Sequence, residues 1–223
     1  MSTTGYEGAR DRVARSGTEH YERLLAAHGT GPLGVGWNSE RAQHTRFQSL
    51  ARVLNGAPAR FSVIDYGCGT GALLDWLRGR GHDCSYTGFD VSEAMVRAAA
   101  ADHAGAPDAG FTQTAADLSP ADFVVASGIL NLRFDLSEEE WRDYGVSVVS
   151  DLRRLAVRGF AFNMLSSHSD GDRMRPELHY ADPAWWLDHC LRRYSTRVAV
   201  LHDYDVWDFT VVVRLDPRPL SPR

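Results

Sequence analysis

Residues 63–74 read VIDYGCGTGALL, and the meaning of this stretch decides the reading of the chain. It passes from Val63 and Ile64 into Asp65, then sets Gly67, Gly69 and Gly71 on alternate residues. A strand that runs into a loop stripped of side chains and then into a helix lets a ligand touch backbone N–H groups. Residues 67–72 also satisfy the dinucleotide pattern G-x-G-x-x-A. The glycines alone therefore leave three readings open: a dinucleotide, another adenosine ligand, or a structural turn.

Two carboxylates separate these readings. Asp90 closes the next predicted strand, where a carboxylate can accept both ribose hydroxyls of an adenosine ligand. Asp65 stands just before the first glycine. Facing the pyrophosphate of NAD it would meet like charge, which is unfavourable, whereas a cationic amino-acid group would suit it. S-adenosylmethionine (SAM) carries an ammonium and a sulfonium and no phosphate.

Outward from this loop the chain alternates. Predicted strands cover residues 61–65, 86–89, a short piece near Phe111, 122–128 and 159–165. Predicted helices cover 71–77 and 92–102, then start at the Ser137 cap and at the Asp182-Pro183 pair. Alternation of this kind implies a doubly wound parallel sheet, an α/β fold of Rossmann-like type. The last two apolar runs, RVAVLHDY and WDFTVVVRL, read as a hairpin, which brings the sheet to seven strands with one antiparallel. Ahead of the first strand, residues 18–27 and 38–56 have helical spacing on either side of a glycine-rich connector. The expected layout is an N-terminal helical cap over residues 1–58, a ligand-binding core over 59–215 and a flexible tail over 216–223.

Composition narrows the function. The 223 residues carry a formal charge of −5, which argues against nucleic acid and anionic membranes as partners. No run approaches the about 20 apolar residues of a membrane span, and residues 1–10 lack the apolar core of a signal peptide. Cys68, Cys84 and Cys190 form no metal-type pair, and a reduced, cytoplasmic setting is expected. The chain contains no Lys, which removes the P-loop and Schiff-base lysines and the Tyr-x-x-x-Lys pair of short-chain dehydrogenases.

With VIDYGCGTG, GFDVSEAMVRAA (88–99), ADFVVASGILN (121–131) and the terminal hairpin, the sequence resembles the class I SAM-dependent methyltransferases. GVGWNSERAQHTRF (34–47) and the segment after strand five further resemble a bacterial small-molecule subgroup. The resemblance implies SAM as cofactor. Asp65, Gly67 and Gly69 would then line its methionine part, and Asp90 would hold its ribose beside Val91 and Met95. Thr114 and Ala115 would meet the adenine edge, although the usual acid is absent there and Asp117 is a near miss. Ser127 and Gly128 would face the methyl group.

The acceptor is approached by elimination. After strand four the chain reads Ser127-Gly128-Ile129-Leu130, which lacks both the Pro-Pro-aromatic signature of DNA amino-methyltransferases and the Pro-Cys of the cytosine class. The acids of the metal-dependent catechol class are also missing, so no metal is expected. A small polar molecule, methylated on oxygen or nitrogen in biosynthesis, is the remaining acceptor. The candidate bases are His179 and Tyr180, then His168, with His202 in the hairpin turn. Arg46, one turn from Gln43 on the second cap helix, is a candidate to grip the cofactor carboxylate, and Trp37 a candidate lid. An NAD-dependent oxidoreductase and a non-catalytic SAM-fold binding protein stand as alternatives, and a homodimer stays open.

Overall fold

The computed structural model describes the backbone of residues 3–215 and the side chains of residues 8–215. The expected tail over 216–223 lies outside the described residues. Helices α1 (Thr3–His28) and α2 (Glu40–Leu50) precede strand β1 (Arg60–Tyr66). There follow α3 (Ala72–Gly79), β2 (Asp83–Phe89), α4 (Glu93–Asp102), β3 (Ala109–Thr112) and β4 (Ala121–Ala126). Then come α5 (Glu138–Leu155), β5 (Ala156–Leu165), α6 (Pro183–Arg193), β6 (Val198–Leu201) and β7 (Asp208–Arg214).

The strands form one seven-stranded sheet in the order β3-β2-β1-β4-β5-β7-β6. All neighbours are parallel up to β5, and β7 runs antiparallel between β5 and β6. The chain order reverses between β1 and β4. In such sheets that reversal opens a crevice at the carboxyl ends of the strands, where ligands bind.

Alternation along each strand feeds two cores. Ile64, Val124, Phe160 and Phe162 point into one cluster with Trp141, Val149 and Leu152 of α5 and Trp186 of α6. Val63, Phe123, Val125, Ala161 and Val212 point the other way, onto Phe47 and Leu50 of α2 and Leu73, Leu74 and Trp76 around α3. A strand buried on both faces reads as a near-continuous apolar run, which is why β4 and β5 are legible in the sequence. The helix starts are equally local. Ser137 and Glu140 close a capping box at α5, Ser92 caps α4, and Asp182 caps α6 ahead of Pro183.

Helix α1 departs from expectation, beginning at Thr3 rather than near residue 18. Among the described side chains of its first half, Ala9 and Val13 are the ones in the core, too sparse an apolar pattern to announce a helix. Partners on α5 fix it instead: Arg10 donates to Ser147 Oγ at 2.9 Å and Asp151 Oδ2 at 2.6 Å, and Arg12 pairs with Glu140. No helix among the described residues is long and apolar enough to cross a membrane.

Candidate functional site

The loop after β1 is organised by the two carboxylates. Asp90 Oδ2 accepts from Gly69 N at 2.9 Å, and its Oδ1 accepts from Ser92 N at 3.0 Å. One side chain thus ties the glycine loop to the start of α4. Asp65 is 3 % exposed, and its Oδ2 accepts from the Tyr86 hydroxyl at 2.7 Å. Burial pushes Asp65 up to about 7, against the Tyr86 hydrogen bond, and nearby Asp90 adds to the rise. Burial also raises Asp90, opposed by its backbone hydrogen bonds from Ser92, Gly69 and Val91. Neither carboxylate has an ion-pair partner among the described residues.

The bare backbone of the loop serves the protein's own packing first. A Cβ on Gly67 (φ 86°) would lie 2.1 Å from Ile129 Cγ2, and one on Gly69 would lie 2.9 Å from Val35 Cγ1. Val35 belongs to a 3₁₀ turn, Pro32–Val35, in the connector between α1 and α2. The connector roofs the loop, and Thr70 Oγ1 donates to Thr30 O at 2.9 Å to hold it there.

A cavity of about 820 Å³ is lined by Asp65, Asp90, Ser127, Gly128, Leu132, Leu165 and Tyr180. Trp37 is also on its wall. A Cβ on Gly128 (φ 77°) would lie 2.5 Å from Trp37 Cζ2, so only a glycine lets the indole lie against the end of β4. Gly128 N donates to Asn163 Oδ1 at 2.8 Å, and Leu165 N donates to Asn131 Oδ1 at 3.1 Å. Because backbone N–H groups take both carbonyl oxygens, the two amides are fixed with their NH₂ groups pointing away from those bonds.

Of the residues expected from the sequence, the cavity brings together Asp65, Gly67, Gly69, Asp90, Met95, Ser127, Gly128, Arg46 and Tyr180. Val91, Thr114 and Ala115 are not on its wall. Val91 is 49 % exposed. Thr114 N is held to Thr112 Oγ1 at 3.0 Å, and that hydroxyl donates to Asp117 Oδ2 at 3.0 Å. The tight turn so formed keeps Thr114 and Ala115 on the outer surface.

Of the candidate bases, only Tyr180 borders this cavity. His179 sits in a separate small pocket, its ring 5.2 Å from that of Trp141 and its Nδ1 3.5 Å from Glu138 Oε2. Burial lowers its affinity for a proton, partly offset by Glu138. His202 is exposed beside His168 and is not on the cavity wall, although Asp205, Val206 and Trp207 of the same turn are. Tyr180 does border the cavity, but its hydroxyl accepts from Arg175 N at 2.9 Å and so fastens the loop after β5.

Arg46 is also redirected. Its Nε and Nη2 donate to Asp208 Oδ1 and Oδ2 at 3.0 and 2.5 Å, and its Nη1 donates to Ala42 O at 2.9 Å. Asp208 is fully buried at the start of β7. A buried carboxylate demands such a bidentate partner, so this pair outranks a role in gripping cofactor. Asp208, Tyr86, His20 and His28 are not among the residues expected from the sequence. His20, Tyr21 and His28 of α1 all border the cavity. The one available signal was Tyr86 on the strand next to Asp65, since adjacent parallel strands bring such side chains together.

Comparison with known proteins agrees with this geometry. Residues 38–143 match the family model described as a methyltransferase domain. Rv1506c of Mycobacterium tuberculosis, a provisionally named methyltransferase, is 47% identical over 163 residues, spanning 73% of this chain and 98% of the relative. Among solved structures, magnesium protoporphyrin IX methyltransferase from Synechocystis with bound S-adenosylhomocysteine superposes with a TM-score of 0.60. It is 17% identical, and the match covers 93% of this chain and 98% of that one. The N-methyltransferase NodS from Bradyrhizobium japonicum, also with S-adenosylhomocysteine, gives 0.59 at 13% identity, covering 90% and 98%.

Proposed function

Since this chain belongs to the class I SAM-dependent methyltransferases, we propose that it methylates an oxygen or nitrogen of a small molecule. The cofactor is SAM, and the residues present suit it. Asp65 is a buried carboxylate lacking a cation, and an ammonium group would relieve that desolvation. Asp90 lies on the cavity wall and has lone pairs left beyond its backbone bonds, as a ribose ligand requires. When bound, SAM supplies a methyl group activated by the positive sulfur.

The observation that carries the proposal is one continuous cavity leading from these carboxylates, past Gly128, into a pocket bounded by Trp37, Leu132, Leu165 and Tyr180. Its volume, about 820 Å³, lies near the top of the about 300–1,000 Å³ range of ligand sites, enough for two small ligands side by side. Holding the acceptor there would convert a bimolecular step into a unimolecular one and exclude water, which accounts for much of the rate such sites achieve. Among the described residues there is no group of three His, Cys, Asp or Glu that could hold a metal ion.

Calorimetric titration with SAM and with NAD, followed by turnover with small hydroxylated and amino acceptors, tests the reading. Binding of SAM alone with methyl transfer to at least one acceptor class is expected. SAM binding with no turnover on any small acceptor would point instead to a non-catalytic binding protein.

A further inference from the structure

Two indole rings on the cavity wall each carry a guanidinium over one face. Arg46 Cζ lies 4.2 Å from the ring centre of Trp37, and Arg173 Cζ lies 5.4 Å from that of Trp207. A cation over an indole draws on its π electrons, which leaves the ring better matched to an electron-rich aromatic partner than to an apolar aliphatic one. The arginines are held differently. Arg46 is locked by buried Asp208, so that the positive end of the pair rests on Trp37. Arg173 has no carboxylate within ion-pair distance among the described residues.

Charge of both signs lines the cavity: Asp65 and Asp90 of the glycine-loop site, and Arg46, Arg173 and Arg175. Of these, Arg175 is shared with Glu177 at 3.3 Å, and Asp205 on the wall pairs loosely with Arg41 at 3.5 Å. His20, also on the wall, is held toward its neutral form by burial and then by Arg23 and Arg175. Asn131, also on the wall, is 8 % exposed and spends its carbonyl oxygen on Leu165 N. Its NH₂ group has no acceptor among the described residues, and a donor so placed calls for an oxygen.

We propose that the acceptor is a planar aromatic hydroxyl compound bound as its oxyanion, with the ring against Trp37 and the oxygen toward the Asn131 amide. This inference rests on the methyltransferase reading above. On entry the O–H bond breaks, the proton passes to bulk water, and the electron pair stays on the oxygen as the nucleophile. The Arg173 guanidinium, which no carboxylate neutralises among the described residues, and the amide donor favour the ionised form and so take the place of a dedicated base.

The test uses the full chain saturated with S-adenosylhomocysteine and titrated with 4-nitrophenol, whose ionised form is coloured. Bound dye is expected to ionise about one pH unit or more below the free dye and to quench tryptophan fluorescence. Trp37→Leu should weaken dye binding about tenfold while S-adenosylhomocysteine binds as before. Arg173→Leu, on the surface and so harmless to folding, should shrink the ionisation shift. Dye bound in its neutral form, cyclohexanol bound as tightly, or an unchanged Trp37→Leu variant that folds would each overturn the inference. Loss of S-adenosylhomocysteine binding by the unaltered protein would sink the methyltransferase reading instead, which calorimetry before addition of dye separates.

Discussion

The two ends of the cavity are built in different ways. At the carboxylate end the decisive bonds join residues 21 positions apart, Tyr86 to Asp65 and Gly69 to Asp90, all within one strand-helix-strand unit. At the other end Arg46 reaches Asp208 across 162 positions, and Trp37 lies on Gly128. The first end is a motif, complete once its own segment folds. The second exists only when the connector, the end of β4 and the terminal hairpin have assembled. Substitutions at the first should therefore register in cofactor affinity, and those at the second in the stability of the whole protein.

The sharpest way to break this contrast is Arg46→Ala. It strands a fully buried carboxylate, and breaking such a pair costs about 3–5 kcal/mol. Urea unfolding should show that loss, and Asp208→Ala added to it should restore part. A folded Arg46→Ala variant of normal stability that no longer binds SAM would instead assign Arg46 to the cofactor end. Next in size, Asp90→Ala should weaken SAM by about 1.5–3 kcal/mol, the range for hydrogen bonds to a charged group. Calorimetry returning an unchanged Kd would remove Asp90 from the site.

Acidity sharpens the contrast further. Because burial holds Asp65 at about 7, it is neutral in much of the ligand-free protein below that pH and charged above it. A cationic ligand needs the charged form. SAM affinity should thus fall up to about tenfold per unit as pH drops below 7, and level off above. Asp65→Asn should bind more weakly at neutral pH and with a flat profile. A wild-type affinity independent of pH between 5.5 and 7.5 would show that no ligand cation meets Asp65.

The smallest effects belong to the loop and the turn. Tyr180→Phe removes the acceptor for Arg175 N and should cost about 0.5–1.5 kcal/mol of stability, visible by thermal unfolding. His202→Ala, exposed and off the cavity wall, should leave stability within about 0.5 kcal/mol and kcat/KM within about twofold. A large loss of turnover in His202→Ala would mean that the hairpin turn closes over the acceptor.

How far each feature could be read in the sequence follows the range of the forces behind it. The capping residues Ser92, Ser137 and Asp182 act within one helical turn, so those helix starts stood in the sequence. The first half of α1 did not, because its anchors Ser147, Asp151 and Glu140 lie on α5. His179 had the right chemistry for a base and a place in the right loop. Nothing local could tell that the bridge from Leu132 to Leu178 and the bond from His179 N to Asn131 O turn its ring toward Trp141 rather than into the cavity.

What the sequence determined by itself is the α/β sheet with one antiparallel strand from the terminal hairpin, the glycine loop and its two carboxylates, and with them the class of cofactor. Periodicity, caps and a motif within one strand-helix-strand unit carry that information over short distances. Only the tertiary structure decided that Arg46 serves Asp208, that Trp37 lies on Gly128 and that His179 and His202 stand outside the cavity. Those outcomes depend on which side chain a fully buried charge finds, and on which glycine an indole can lie against. Such partners come from strands that meet only in the assembled sheet.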